Sequence, residues 1–212
     1  MHPPHLIPDL MMVRSVLPWL DIVGIAVFAI SGALAAARRG QTIVTFAFFA
    51  AVTGTGGGTL RDLLIGAPVF WVHDGLALTV CLLAAIAVWV SPRNAWPEQA
   101  LDWFDGAGLA AYAVFGAWKA LAFGVPPVAA AVMGVVTACM GGIIRDVLAG
   151  EPSILLRPEL YVTAAALAAA LFVLLTSLGV PLLVAAFIAA LSGFLLRALA
   201  IVRGIRLPAY TG

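Results

Sequence analysis

Long apolar stretches separated by short polar interruptions run through the whole chain. A helix needs roughly 20 mostly apolar residues to cross the hydrocarbon core of a bilayer. Read that way, the pattern predicts seven helices, over about 19–37, 42–65, 74–91, 103–122, 126–149, 159–177 and 180–200. The clearest stretch, Leu160 to Leu196, holds no charged residue and is too long for one span; the turn-forming run Thr176-Ser177-Leu178-Gly179-Val180-Pro181 divides it in two. Trp19, Trp71, Trp89, Trp103 and Trp118 fall near the ends of these segments, where indole rings anchor helices at the headgroup level.

The polar interruptions recur. "GGGTLRDLLIGAP" at 56–68 returns as "MGGIIRDVLAGEP" at 140–152: Gly57, Gly58, Arg61, Asp62, Leu64, Gly66 and Pro68 match Gly141, Gly142, Arg145, Asp146, Leu148, Gly150 and Pro152, each at an offset of 84. The register extends upstream through Asp21/Asp105, Gly24/Gly108, Gly32/Gly116, Gly40/Gly124 and Thr53/Thr137, and downstream through Leu76/Leu160 and Thr79/Thr163. Such a register marks a duplication. Each copy carries three predicted helices, an odd number, so the second copy enters the membrane from the opposite side. Inverted repeats of this kind place a shared site near the bilayer midplane. The expected fold is therefore all-α and membrane-integral: two inverted three-helix repeats, 19–91 and 103–177, joined by a linker at 92–102, with a seventh helix at 178–200 for packing or oligomer contact.

Composition narrows the function classes. Hydrophobic residues make up 64% of the 212 and charged residues 10%, against about a quarter charged in soluble domains. A net charge of +1 points to no nucleic-acid partner. The opening segment, rich in proline and histidine, lacks the layout of a cleaved signal. Arg38, Arg39, Arg93, Arg157, Arg203 and Arg206, with Arg197 nearby, fall on one side of the predicted topology, and Arg14 and Lys119 on the other. The arginine-rich side is expected to be cytoplasmic, which puts 1–18 outside and the tail 201–212 inside. Cys81 and Cys139 lie in apolar spans and read as small hydrophobes. No histidine lies within a span and no Ser/His or metal-ligand spacing occurs, so an enzyme, a cofactor and a fixed metal are not expected.

The candidate chemistry lies in the repeated motif. Consecutive glycines each cost about 1 kcal/mol in a helix relative to alanine, so Gly56, Gly57, Gly58 and Gly141, Gly142 predict that the second and fifth helices are interrupted. Unwound backbone at membrane depth must line a wet cavity or be buried in protein. Asp62 would then sit in the first turn of a new half-helix, where a carboxylate is favoured and Thr59 can cap. The second copy has Ile143 in place of Thr59, so the two sites should differ. Arginine and aspartate near the bilayer centre each cost about 2.5–3.5 kcal/mol. Because neighbours on a helix point in different directions, the expected pairing is crossed, Arg61 with Asp146 and Arg145 with Asp62. Whether such pairs only staple the repeats or also touch permeating ions stays open. Asp21 and Asp105 are candidates for helix capping or a pore mouth, Ser31, Thr55 and Thr137 for a polar path or packing, and Lys119, the one lysine, for a surface anchor.

The three-plus-three-plus-one arrangement with "GGGTLRDLLIG" and "GGIIRDVLAG" resembles the prokaryotic trimeric intracellular cation (TRIC) channels over about 20–197. The resemblance implies a homotrimer in the cytoplasmic membrane of a prokaryote, surrounded by lipid, each subunit enclosing a pore that passes potassium and other monovalent cations such as sodium. It implies that the glycine-bearing helices line that pore, with the charged pairs on Arg61, Asp62, Arg145 and Asp146. In animal relatives a basic residue of the fourth helix is tied to voltage response, and Lys119 is the nearest match. The family has also been labelled a glycine transporter, so a secondary transporter of a small zwitterion is the rival expectation. No Thr-Val-Gly-Tyr-Gly filter is present, so high selectivity over sodium is not expected.

Overall fold

The structure, a computed structural model, describes residues 6–156 and 158–208, with side chains from residue 21 onward except Arg93. Arg157 and the side chains of Arg14, Trp19 and Arg93, used above for orientation and anchoring, lie outside the described residues. The described chain is helical: α1 (Leu6–Arg38), α2 (Ile43–Leu64), the single turn α3 (Phe70–His73), α4 (Leu76–Val90), α5 (Ala100–Ala122), α6 (Pro127–Ala149), α7 (Val162–Ser177) and α8 (Leu182–Arg203). Four helices are long and apolar enough to cross a membrane: α1 from Asp21 onward, α2, α6 and α8. The apolar helices α4 and α7 are shorter, at 15 and 16 residues.

Most predicted segments lie within a few residues of an observed helix. The first differs, since α1 begins at Leu6 and not at 19. Pro18 lacks a backbone donor but does not end the helix. Residues 66–73, left between two predicted helices, contain the α3 turn. Gly66 and Gly150 close α2 and α6 with φ of 69° and 65°, and Gly40 and Gly124 take φ of 60° and 79° after α1 and α5. A side chain is strained in that left-handed region, which accounts for glycine at the same two places in each copy.

The core is built from small residues. Ala29, Ala33, Ala36, Ala113, Ala117, Ala164, Ala165, Ala168 and Ala169 are buried, and their small size lets helix backbones approach closely. The two copies touch reciprocally. Gly24 lies under the Tyr112 ring, and its counterpart Gly108 lies under Phe28, the counterpart of Tyr112. A methyl added at Gly57 would overlap the Thr137 carbonyl, and one added at Gly141 would overlap the Thr53 carbonyl.

That last contact corrects an expectation. α2 and α6 are helical straight through Gly56, Gly57, Gly58 and Gly141, Gly142, so the glycines do not interrupt them. Removing the side chain permits helix breaking and close helix crossing alike, and here it serves the crossing. Asp62 consequently stands in the last turn of α2 rather than the first turn of a half-helix. Thr59 caps nothing: its hydroxyl donates to the Thr55 carbonyl at 2.8 Å and accepts the Trp71 indole N–H at 2.8 Å, fastening α3 against α2.

Candidate functional site: two buried charge clusters

Each copy of the Arg-Asp motif ends in its own charged cluster, and the two lie on either side of the α2–α6 crossing. In both, the aspartate does the same two things. Asp62 Oδ2 accepts the Phe70 backbone N–H at 3.2 Å and Asp146 Oδ2 accepts that of Ile154 at 2.9 Å. The acceptor stands eight residues before the donor in each case, which pins the segment after the helix. The other oxygen receives the adjacent arginine: Arg61 Nε and Nη2 both lie 2.8 Å from Asp62 Oδ1, and Arg145 Nε and Nη2 both lie 2.9 Å from Asp146 Oδ1.

The crossed pairing expected from sequence is thus not found. Helix neighbours do diverge at their Cβ atoms, but the arginine stem is long enough to fold back and place its fork on the next residue's carboxylate. Both arginine donors converge on a single carboxylate oxygen, a charge-assisted contact about twice as strong as a neutral hydrogen bond. Arg61, Asp62 and Arg145 are essentially unexposed, and a buried charge without a partner would be prohibitive.

Around this shared frame the two clusters differ. In the first, Lys119 Nζ of α5 lies 2.8 Å from the same Asp62 oxygen, and the Arg61 guanidinium stacks on Phe115, 5.2 Å from the ring centroid. Lys119 is therefore an inward-turned partner and not a surface anchor. Beside it, Asp21 Oδ1 accepts the Tyr112 hydroxyl at 2.7 Å. In the second cluster the counterpart of Lys119 is Ala35, and of Phe115 is Ser31. Here Arg145 Nη1 donates to Ser31 Oγ at 3.1 Å and pairs with Asp105, a fully buried carboxylate. Neither Asp21 nor Asp105 caps a helix: the first lies in the body of α1, the second in the second turn of α5.

Between the clusters the crossing is packed. Thr55 and Thr137 donate to Ala51 and Met133 of their own helices, at 2.7 and 2.6 Å, the back-bonding common for hydroxyls in apolar helices. Several buried polar atoms have no protein partner: Arg61 Nη1 in the first cluster, Thr53 Oγ1 at the crossing, and Asp105 Oδ2 and Tyr161 OH in the second. The second cluster also opens to a pocket of about 130 Å³ lined by Arg38, Arg39, Asp102, Asp146 and Glu151 as well as Arg145. Arg39 and Glu151 pair across it at 2.5 Å, both nearly half exposed.

Sequence reasoning singled out the charged residues and Ser31 but missed the aromatic residues packed around them, Tyr112, Phe115 and Tyr161. Tyr112 and Tyr161 were the available signal, as hydroxyls at places where the other copy has Phe28 and Ala77. Arg197, at the end of the last predicted helix, entered the sequence reading only through its contribution to orientation; it is buried in α8 and paired with Glu159 at 2.8 Å.

Comparisons with known proteins bear on this arrangement. The sequence model of a family described as "Glycine transporter" matches twice, over residues 18–93 and 102–177, the same offset as the duplication. A "UPF0126 membrane protein" of Vibrio cholerae is 44% identical over 155 residues, which is 71% of this chain and 64% of that protein, so the match spans just under two thirds of the relative. The "UPF0126 inner membrane protein YadS" of Escherichia coli K12 is 43% identical over 150 residues, 69% of this chain and 72% of its own. Among solved structures, the TRIC trimeric intracellular cation channel orthologue from Rhodobacter sphaeroides superposes with a TM-score of 0.84 at 42% identity, covering 90% of this chain and all of that one. A second, solved in work on conductance through TRIC cation channels, gives 0.82 at 30% identity over 92% of this chain and 97% of that one. A multi-pass helical membrane protein with a doubled Arg-Asp cluster, this chain belongs to the family whose model is described as "Glycine transporter", matched across both copies, and to the prokaryotic TRIC channels.

Proposed function

We propose that the protein is a channel for monovalent cations, potassium among them, with a pore inside each subunit of a homotrimer. The observation that carries this reading is the set of buried polar atoms without a protein partner on Arg61, at Thr53 of the crossing and on Asp105, with a compensated charge cluster on either side. A buried polar atom without a partner costs about 1–3 kcal/mol, a cost that a water-filled or ion-filled pathway removes. The likeness to TRIC channel structures supports the same reading. In this account the two copies are inverted repeats about an axis in the membrane plane, with seven membrane-crossing helices, and the reciprocal Gly57–Thr137 and Gly141–Thr53 contacts mark the axis. Lys119 holds the first cluster shut by occupying Asp62, and a cation passes when it is displaced. The arginine-rich loops favour a C-terminus on the cytoplasmic side of a prokaryotic cell membrane.

One observation favours a second reading. The pocket over Arg145 and Asp146 carries three arginines and three carboxylates, a lining suited to the carboxylate and ammonium of a small zwitterion such as glycine, with the chain acting as a secondary transporter. Liposomes holding the purified protein separate the two. Gradient-driven potassium flux that does not saturate, and that changes in Asp62→Asn and Asp146→Asn, is the expected result. Saturable glycine uptake without an ion leak would replace the channel with the carrier.

A further inference from the structure

A second polar pocket, of about 130 Å³, lies outside the two clusters, where the end of α8 meets the start of α5 and the segment before α7. Its charged lining is Asp102, Glu159, Arg197 and Arg206, with Gln99 beside them, so its two cations and two carboxylates cancel. The segment is held in place by an antiparallel bridge between Glu159 and Arg206 and by the Leu207 N–H donating to the Pro158 carbonyl at 2.6 Å.

Arg197 is the unusual member. It is 1% exposed, its Nη1 meets Glu159 Oε2 at 2.8 Å, and its guanidinium stacks on Tyr161 with 5.3 Å to the ring centroid. Nε and Nη2, the pair of parallel donors on the other edge of the group, have no protein partner. Two buried guanidinium donors left idle are expensive, and their geometry is the one that takes two oxygens of a phosphate or carboxylate side by side.

We infer that this pocket binds the zwitterionic headgroup of a membrane phospholipid of the ethanolamine class. The phosphate pairs with Arg206 at the pocket surface and, with a shift of the Arg197 side chain that uncovers its buried donors, with the Arg197 fork, and the ammonium lies on Asp102 and Glu159. Two carboxylates call for a headgroup with N–H donors, which a choline lacks, and a net-neutral lining disfavours a purely anionic one. A lipid is preferred to a free solute because the pocket sits at helix ends, where headgroups lie, and an exposed apolar ridge, Leu195, Leu199 and Val202, runs along α8 away from it. Asp102 also lines the pocket over Arg145 and Asp146, so an occupied headgroup site shares a residue with the second cluster. The inference holds whether the chain conducts or carries.

The test is thermal unfolding of the delipidated protein in detergent, with dihexanoyl phosphatidylethanolamine, phosphatidylcholine and phosphatidylglycerol compared at one concentration, and O-phosphoethanolamine as the soluble control. A ligand that binds only the folded protein raises its midpoint. The ethanolamine lipid is expected to raise it by several degrees and the other two lipids by less. In Arg206→Gln, whose exposed side chain leaves the backbone bridge intact, the rise shrinks for every phospholipid. In Asp102→Asn the preference for ethanolamine over choline disappears, a change that a purely structural role would not produce. Equal rises with all three lipids, or a preference unchanged in Asp102→Asn, would overturn the proposal, and an equal rise with O-phosphoethanolamine would assign the pocket to a soluble solute.

Discussion

At the scale of single residues, the duplication placed equivalent carboxylates in unequal surroundings. Asp105 is fully buried against the Arg145 guanidinium, while its counterpart Asp21 is half-buried and bonded to a neutral phenol. Removing one member of a buried ion pair leaves the other uncompensated and costs about 3–5 kcal/mol, whereas a hydrogen bond between a phenol and a carboxylate contributes about 1.5–3 kcal/mol. Asp105→Asn is therefore expected to lower the unfolding midpoint in detergent well below that of Asp21→Asn; comparable losses would mean that the two carboxylates carry similar loads. The charged positions were legible in the sequence because four such groups in apolar helices have to be functional or paired. Their partners were not. Pairing depends on side-chain reach and helix rotation, and the fold-back of Arg61 onto Asp62 looks improbable when only Cβ directions are considered.

Among the helices, the same limit applies to glycine. The run Gly56-Gly57-Gly58 signals that side chains are unwelcome without saying whether the backbone bends or another backbone arrives. The structure separates the three. A methyl at Gly57 meets the Thr137 backbone, and one at Gly58 lies 2.7 Å from the Phe70 ring, while one at Gly56 finds the flexible tip of Ile144 at 3.1 Å. Gly57→Ala is accordingly expected to destabilise by about 1–3 kcal/mol, as overpacking does, and Gly56→Ala to leave the stability within about 0.5 kcal/mol of the parent. Thermal unfolding of the two variants side by side decides this. Equal tolerance would argue against the crossing as the reason for the run. Helix positions were readable because apolar length is a strong signal, and the α3 turn was not, because it is fixed by one indole hydrogen bond and one aspartate–backbone contact.

For the molecule as a whole, the asymmetry of the two clusters would give each mouth of the proposed channel its own closure. In that reading the first is closed from inside by Lys119, which pairs with Asp62. Over the second, Arg39 and Glu151 meet at the surface with 42% and 45% of their side chains exposed, and the other copy has Phe123 and Ala67 at these positions. An exposed pair contributes about 0–1 kcal/mol and is screened by salt. Glu151→Gln should leave thermal stability almost unchanged while making potassium flux less sensitive to ionic strength; a large fall in midpoint would instead make the pair a structural strut. The duplication, which located both clusters, was fully legible in the sequence. The asymmetry was only partly so, through Ile143 in place of Thr59 and Ala35 opposite Lys119.

In the proposed channel Lys119, by holding Asp62, closes the pathway through the first cluster. Potassium flux through liposomes containing Lys119→Gln, compared with the parent protein at equal protein density, tests it most directly. A severalfold rise with the fold intact is expected, because Asp62 keeps Arg61 and the Phe70 amide while losing the lysine. Flux that stays the same or falls in a properly folded Lys119→Gln protein would contradict it.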